Sequence, residues 1–399
     1  MGTGRGNQVD RIRAGLSEIA ALDAAGARTM PPAFYTSPEF LAIEEEHLLR
    51  RQWLCVGHAG EVPQPGDFFT TELLGEPLLV VRDPAGEVRV LSNVCRHRGN
   101  LVAEGKGSAK RFICQYHAWT YRTDGTLLRA PLMEETKNFD PKGCALPRLA
   151  CETWNHFIFA NLDGTAEPLA PGLEGLSAII RNYHHELRNL LYTGEDVWNA
   201  NWKSLAENFI EGYHLSATHR HTLHPTTPTK LCRKLPGEAQ YTAYRSYYDP
   251  SVPDRGPYHE DLTDDERRNS VMGCVFPCFL FGFATHYTLY MTLRPVGVDK
   301  VALKWGVAGF LDDPEHPEVR TFVDLCHAFN AEDREKLETQ RRGLRTRCYS
   351  TGPLAPADYE GTIWDFLQYV AGRLGAHVDL DGEGDAGPRR HAAPGRRHG

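Results

Sequence analysis

The chain has 399 residues and ten cysteines, and its formal charge of −8 comes from acids scattered along it rather than from an acidic block. That length provides for two domains, each with a sizeable core, and the charge pattern excludes a basic nucleic-acid surface or a polybasic membrane anchor. Dispersed cysteines, no apolar run of membrane-spanning length and an N-terminus (MGTGRGNQVDRIRAGL) without the apolar core of a signal peptide predict a reduced, cytoplasmic protein with no membrane or nucleic-acid partner.

Residues 9–25 read as a helix with Ile12, Leu16 and Ile19 on one stripe. A second helix opens at Ser37, whose hydroxyl caps it ahead of Pro38, and carries Phe40, Ile43 and His47 along one side. These helices make up residues 1–45. From 46 to 165 the pattern is short β-like runs broken by turn residues: WLCVGHA, DFFTTELLG, PLLVVRD, VRVLSNV, RFICQYH, WTYRTDGTLLRA and HFIFANLDG, an all-β module. Pro168 to Gly175 reads as a linker. Residues 166–378 mix helices (176–188, 203–215, 319–329, 331–344) with strands (LYTGEDVWNANW, AQYTAYRSYY, ATHYTLYMTLRPV, KVALKWGVAGF). That mixture predicts an α+β domain on an antiparallel sheet. The Gly-, Asp-, Arg- and Pro-rich run 379–399 reads as an unfolded tail.

Within the β module, Cys95-Arg-His97 is followed after sixteen residues by Cys114-Gln-Tyr-His117, one thiolate and one imidazole on each turn. Two Cys and two His alternating in this way suit a Rieske [2Fe–2S] cluster, whose potential lies roughly between −150 and +300 mV. The competing structural zinc site groups its cysteines first and its histidines second, the opposite of the order here. Gly99, Gly107 and Gly125 fit the tight turns such a cluster needs.

Further on, the stretch Asn201–Leu223 (NWKSLAENFIEGYHLSATHRHTL) places Glu207, Glu211 and His214 on one face of a continuous helix, with His219 four intervening residues beyond His214. Two imidazoles and one carboxylate with open positions form the ligand set of a non-haem Fe(II) oxygenase. Taken alone, the same pattern also describes an amphipathic helix with incidental histidines.

CRHRGN, then CQYHAWTY, then NWK…ENFIEGYH…H together resemble the catalytic (α) subunit of Rieske non-haem iron oxygenases over residues 38–370. The resemblance implies a Rieske β domain followed by a helix-grip-like catalytic domain. It implies Cys95, His97, Cys114 and His117 as cluster ligands and His214, His219 and a later aspartate as iron ligands, with His221 a spare imidazole. Asp333 in NAEDREKLETQ is the aspartate it points to; Glu332 and the more remote Asp324 are the competitors. Asn330 can equally cap a helix there and leave Asp333 an ordinary first-turn acid.

At Glu211 the resemblance implies a carboxylate joining the two metal centres, bonded to His214 and to His117 of a neighbouring subunit in a homotrimer. Glu, where most members carry Asp, resembles the branch that oxidises quaternary ammonium compounds (carnitine, choline, glycine betaine). The implied chemistry is O₂-dependent monooxygenation of a C–H bond next to nitrogen, giving a carbinolamine and then N-demethylation or C–N cleavage. Gly2-Thr-Gly4-Arg-Gly6 opens the chain without a preceding strand, and no plant-type Cys set is present, so a separate NAD(P)H-dependent reductase is required.

For the pocket, alternation directs Tyr287, Leu289 and Met291 to one face, and Trp202 and Tyr213 are candidates by position. Aromatic faces suit a quaternary ammonium, and equally an aromatic ring awaiting hydroxylation or O-demethylation. A Rieske electron carrier without catalysis is the remaining alternative.

Overall fold

The structure, a computed structural model, describes residues 3–254, 256 and 258–375. The expected tail 379–399 lies outside the described residues. The first helix α1 (Thr3–Ala21) starts earlier and stops sooner than the sequence suggests, and Ile12, Leu16 and Ile19 are buried as one stripe. A single turn, α2 (Ala33–Thr36), precedes α3 (Pro38–His47), where Ser37 Oγ accepts from the Phe40 amide at 3.1 Å.

Ten short strands follow: β1 (Leu54–His58), β2 (Asp67–Leu73), β3 (Glu76–Arg82), β4 (Val88–Ser92), β5 (Lys106–Ser108), β6 (Arg111–Ile113), β7 (Thr120–Arg122), β8 (Leu127–Arg129), β9 (Ala150–Trp154) and β10 (Phe157–Asn161). They form three antiparallel sheets in the orders β4-β3-β2-β5, β6-β7-β8 and β1-β10-β9. Leu79, Val81, Leu91, Phe112, Trp119 and Tyr121 make the core between the first two, and Cys95 and Cys114 are buried in it. β5 and β9 carry too little alternation to read from sequence, and Gly107 sits in extended backbone within β5. The left-handed turns fall to Gly99 (φ +75°), Gly105 (φ +71°) and Gly125 (φ +88°).

The expected linker is instead structured: a 3₁₀ turn (Ala170–Leu173) runs straight into α4 (Glu174–Ile180), because Leu169, Leu173 and Leu176 are apolar and buried against the aromatic face of the large sheet. That sheet has seven antiparallel strands, β11 (Asn189–Trp198), β12 (Cys232–Lys234), β13 (Tyr241–Tyr247), β14 (Asn269–Val275), β15 (Phe279–Phe283), β16 (Tyr287–Gly297) and β17 (Lys300–Gly309), in the order β11-β17-β16-β15-β14-β13-β12. Between β11 and β12 come α5 (Trp202–Phe209) and α6 (Leu215–Thr218); after β17 come α7 (Pro317–Gly343) and α8 (Ala357–Gly375). An all-β module followed by helices on an antiparallel sheet is the α+β architecture the sequence predicts.

Two departures bear on the site. The predicted pair 319–329 and 331–344 is one helix, α7, so Asn330 is interior and caps nothing. The predicted helix 203–215 breaks after Phe209: Ile210 is the C-cap, its carbonyl accepts from Thr362 Oγ1 at 2.5 Å, and the Gly212 amide donates to the Tyr359 carbonyl at 3.1 Å. α8 thus takes the groups that a continuing helix would pair internally. A Cβ at residue 212 would collide with Cys232 Sγ, which is why glycine stands at the break. No helix among the described residues is long and apolar enough to cross a membrane.

Candidate metal centres and pocket

Two matching loops present the first donor set. In one, the Gly99 amide donates to the Cys95 carbonyl at 3.0 Å; in the other, the Ala118 amide donates to the Cys114 carbonyl at 3.0 Å. Each loop closes on a left-handed residue, Gly99 (φ +75°) or Ala118 (φ +57°). The thiols are buried while His97 and His117 are exposed, their rings 4.6 Å apart, and His97 stacks on Trp119 at 4.9 Å. Tyr121 Oη lies 3.2 Å from Cys95 Sγ and Asn100 Nδ2 is 3.8 Å from Cys114 Sγ, contacts of the kind that tune a cluster's potential. Burial raises the Cys95 thiol above its ordinary range, a penalty that coordination as thiolate removes. Sulfur inside and imidazole outside is a donor set that fits a redox cluster at the protein surface.

The second set is assembled by the helix break. Released from α5, Glu211 folds back so that its carboxylate accepts from the amides of Tyr213 and His214, and Oε1 lies 2.5 Å from His214 Nδ1. Glu207, Glu211 and His214 therefore share no helical face. His214 stands at the N-cap of α6 and His219 at its C-cap, so one helical turn brings their Nε2 atoms to 3.1 Å. From the middle of α7, Asp333 Oδ1 reaches to 3.5 Å from His214 Nε2 and 3.1 Å from His219 Nε2.

Each imidazole is braced on its far side. Glu332 Oε2 accepts from His219 Nδ1 at 2.7 Å and from Thr222 Oγ1 at 2.6 Å, as Glu211 does for His214. With protons held at both Nδ1 atoms, the Nε2 lone pairs are left facing Asp333. Asp333 Oδ1 is buried and accepts no hydrogen bond. A buried carboxylate oxygen and two imidazole lone pairs directed at one point need a cation between them, and the three side chains have metal-binding geometry. Burial alone would lower the His214 pKa, but Glu211 and Asp333 outweigh it and raise it. Asp324 is exposed, away from this point, and so is His221.

Above the donors lies a cavity of about 200 Å³. Phe209, Tyr244, Tyr287, Phe322 and Phe329 give it aromatic walls, and Tyr248, Ser246 and Ser270 add hydroxyls. Tyr287 stacks on Phe322 at 4.5 Å, and Tyr248 Oη meets Ser270 Oγ at 2.7 Å.

Of the four pocket side chains expected from sequence, Tyr287 lines this cavity and the other three stand elsewhere. Trp202 is fully buried, donating to Glu44 Oε2 at 3.3 Å beneath α3. Tyr213 is exposed and stacked beside Tyr359. Met291 shares a strand face with Tyr287 and Leu289 but lies past the end of the cavity, in the core. Sequence reasoning missed the brace Glu332, weighed only as a rival ligand, and Tyr121, although the CQYHAWTY motif contains it. The walls from α7, Phe322 and Phe329, follow the 3.6-residue period that also carries Asp333 inward.

Comparison with known proteins adds the following. The Rieske [2Fe-2S] domain model matches residues 52–140, and the ring hydroxylating alpha subunit (catalytic domain) model matches residues 177–376. The chain is 33% identical over 397 residues to the glycine betaine monooxygenase oxygenase subunit of Chromohalobacter salexigens, covering 89% of this chain and 88% of that one. It is 27% identical over 340 residues to the carnitine monooxygenase oxygenase subunit of Acinetobacter baumannii, covering 81% and 87%. A crystal structure of the quaternary ammonium Rieske monooxygenase CntA with substrate L-carnitine shares the fold at a TM-score of 0.78 and 23% identity, covering 88% of this chain and 97% of that one.

Proposed function

The chain belongs to the Rieske-type ring-hydroxylating oxygenase α-subunit family, oxidoreductases that hold a [2Fe–2S] cluster and a mononuclear iron and use O₂; from that membership we propose that it is a monooxygenase oxidising a C–H bond next to nitrogen in a quaternary ammonium or betaine-type molecule. Cys95, His97, Cys114 and His117 would hold the cluster, and His214, His219 and Asp333 the iron. When bound, the two groups supply one-electron transfer and activation of O₂ beside the substrate. The observation that carries the reading is the convergence of His214, His219 and Asp333 under a small aromatic-walled cavity.

The chain's own residues do the rest. Glu211 and Glu332 hold the Nδ1 protons of His214 and His219 and fix both rings. At about 200 Å³ the cavity is smaller than the roughly 300–1,000 Å³ of drug-sized ligand sites, which suits a compact substrate. The faces of Tyr287, Phe209 and Phe329 attract an ammonium by about 0.5–2 kcal/mol per contact, and the Tyr248–Ser270 hydroxyls take its polar tail. Hydroxylation of a carbon on nitrogen gives a carbinolamine, which releases an aldehyde and the shortened amine.

Electrons come from a separate reductase, which we assign as NAD(P)H-dependent. We place residues 1–45 as N-terminal helices, 46–165 around the cluster and 166–378 around the iron. We assign a homotrimer in which Glu211 faces His117 of a neighbouring copy, a reading supported by the exposed His97 and His117 and by Ile113 and Tyr116, exposed on the same stretch of chain as His117.

The test is O₂ uptake and aldehyde release with a surrogate reductase, comparing carnitine, choline and glycine betaine with aromatic acids. Coupled uptake and aldehyde with an ammonium substrate is expected. Coupling to aromatic acids alone would replace the proposal by ring hydroxylation or O-demethylation.

A further inference from the structure

A second group of two histidines and one aspartate lies apart from the centres above. His184 is a left-handed residue (φ +47°) between two 3₁₀ turns, just ahead of β11. That conformation, which histidine adopts more readily than most residues, turns its ring toward the segment between β13 and β14, where His259 and Asp261 stand. His184 Nε2 is 2.8 Å from Asp261 Oδ2, and the His259 ring lies 3.7 Å from the His184 ring, centroid to centroid. One ligand atom from each of the three falls within 4.8 Å of the other two.

Two details point to a cation rather than to a chance cluster. The first is the far nitrogen of His184: Nδ1 is 2.8 Å from Glu186 Oε1, the carboxylate brace that metal-bound imidazoles carry, and the arrangement that Glu332 and Glu211 make at the iron-site histidines. The second is His259 Nδ1, which accepts a long bond of 3.3 Å from the Asp261 amide and so holds a lone pair there, while Asp261 Oδ2 lies only 3.5 Å away. That single lone pair is held only by the long amide bond, so it stays open to an ion bound at Asp261 Oδ2. A proton on His184 satisfies its bond to Asp261 and makes no use of His259.

We propose that His184, His259 and Asp261, with Glu186 behind His184, form a second divalent-cation site that takes a borderline ion of the zinc class. Two imidazoles and one carboxylate suit zinc, with water completing the tetrahedron. Such an ion clips the segment after Tyr248, a wall of the substrate cavity, to the entry of β11.

The test uses the full chain with both iron centres loaded, titrated with Zn²⁺ alone and read by calorimetry and by metal analysis after gel filtration. One zinc per chain is expected in addition to iron, with two imidazoles at about 2.0 Å by X-ray absorption. His259→Ala and the surface variant Asp261→Asn should each weaken binding about 100-fold, and Glu186→Gln about tenfold. Iron content and the visible cluster spectrum should stay unchanged. The proposal is overturned if no zinc binds, if either ligand variant binds as tightly as the parent, or if zinc uptake tracks iron loss, which would place it at His214 and His219.

Discussion

Glu332→Ala separates a brace from a ligand. The change removes the acceptor for His219 Nδ1 at 2.7 Å and for Thr222 Oγ1 at 2.6 Å. A hydrogen bond to a charged acceptor contributes about 1.5–3 kcal/mol, which at about 1.4 kcal/mol per decade is a factor of about 10–100. Loss of an outer carboxylate behind a metal-bound imidazole gives the same range, about 10–100-fold in metal affinity. The Glu332 side chain is 30% exposed, so water enters the vacated space and accepts from the imidazole. That puts the expected loss near the lower limit, about tenfold. Equilibrium dialysis of Fe(II) against graded chelator measures it, with the cluster absorbance as internal control. Glu332→Gln, which keeps an amide oxygen at the same reach, should lose less than tenfold. If Glu332→Ala loses iron as completely as Asp333→Ala, Glu332 is a ligand; if it binds iron as tightly as the parent, His219 needs no brace. Either result refutes the reasoning.

Asp333→Ala should lose the mononuclear iron while the visible cluster spectrum persists, and stoichiometric retention of that iron sinks the ligand assignment. Glu211→Gln should load both metal centres yet abolish turnover; an active variant removes Glu211 from the electron path. Glu207, buried and bonded by Tyr35 Oη at 2.7 Å, is pushed by burial from 4.5 up to about 7. The folded chain holds this proton more tightly than the unfolded chain, so the contribution is intact below about pH 4.5 and declines as pH rises to about 7. At about 1.36 kcal/mol per unit that loss is roughly 3 kcal/mol. Glu207→Gln should flatten this decline in urea unfolding between about pH 4.5 and 7, and an unaltered slope counts against the burial argument.

Residues close in sequence were the readable part of both centres. Cys95 and His97 sit on one turn and Cys114 and His117 on another, so local spacing alone gives each half of the cluster site. Ser37 before Pro38 and the stripe Ile12, Leu16 and Ile19 were equally legible, since capping and helical periodicity are local. The break at Gly212 was not. Every residue from Trp202 to Glu211 is compatible with helix, and the helix stops because Thr362 and Tyr359 of α8 take its terminal groups and Cys232 fills the space a side chain would need. Trp202 and Tyr213 were chosen by position alone: Trp202 opens the formed part of α5 and is buried against Glu44, and Tyr213 falls past the break and is exposed.

The sequence by itself determined the chemistry on offer, which is two thiolate–imidazole turns, a pair of histidines with four residues between them and neighbouring acids on a later helix. Donor type and short-range spacing are properties of the chain alone. Only the tertiary structure decided which acid does what. Glu332 and Asp333 are adjacent and so about 100° apart around α7, and no local rule says which of the two points inward. The docking of α7 against α6 answers it, turning Asp333 toward the two Nε2 atoms and laying Glu332 behind His219.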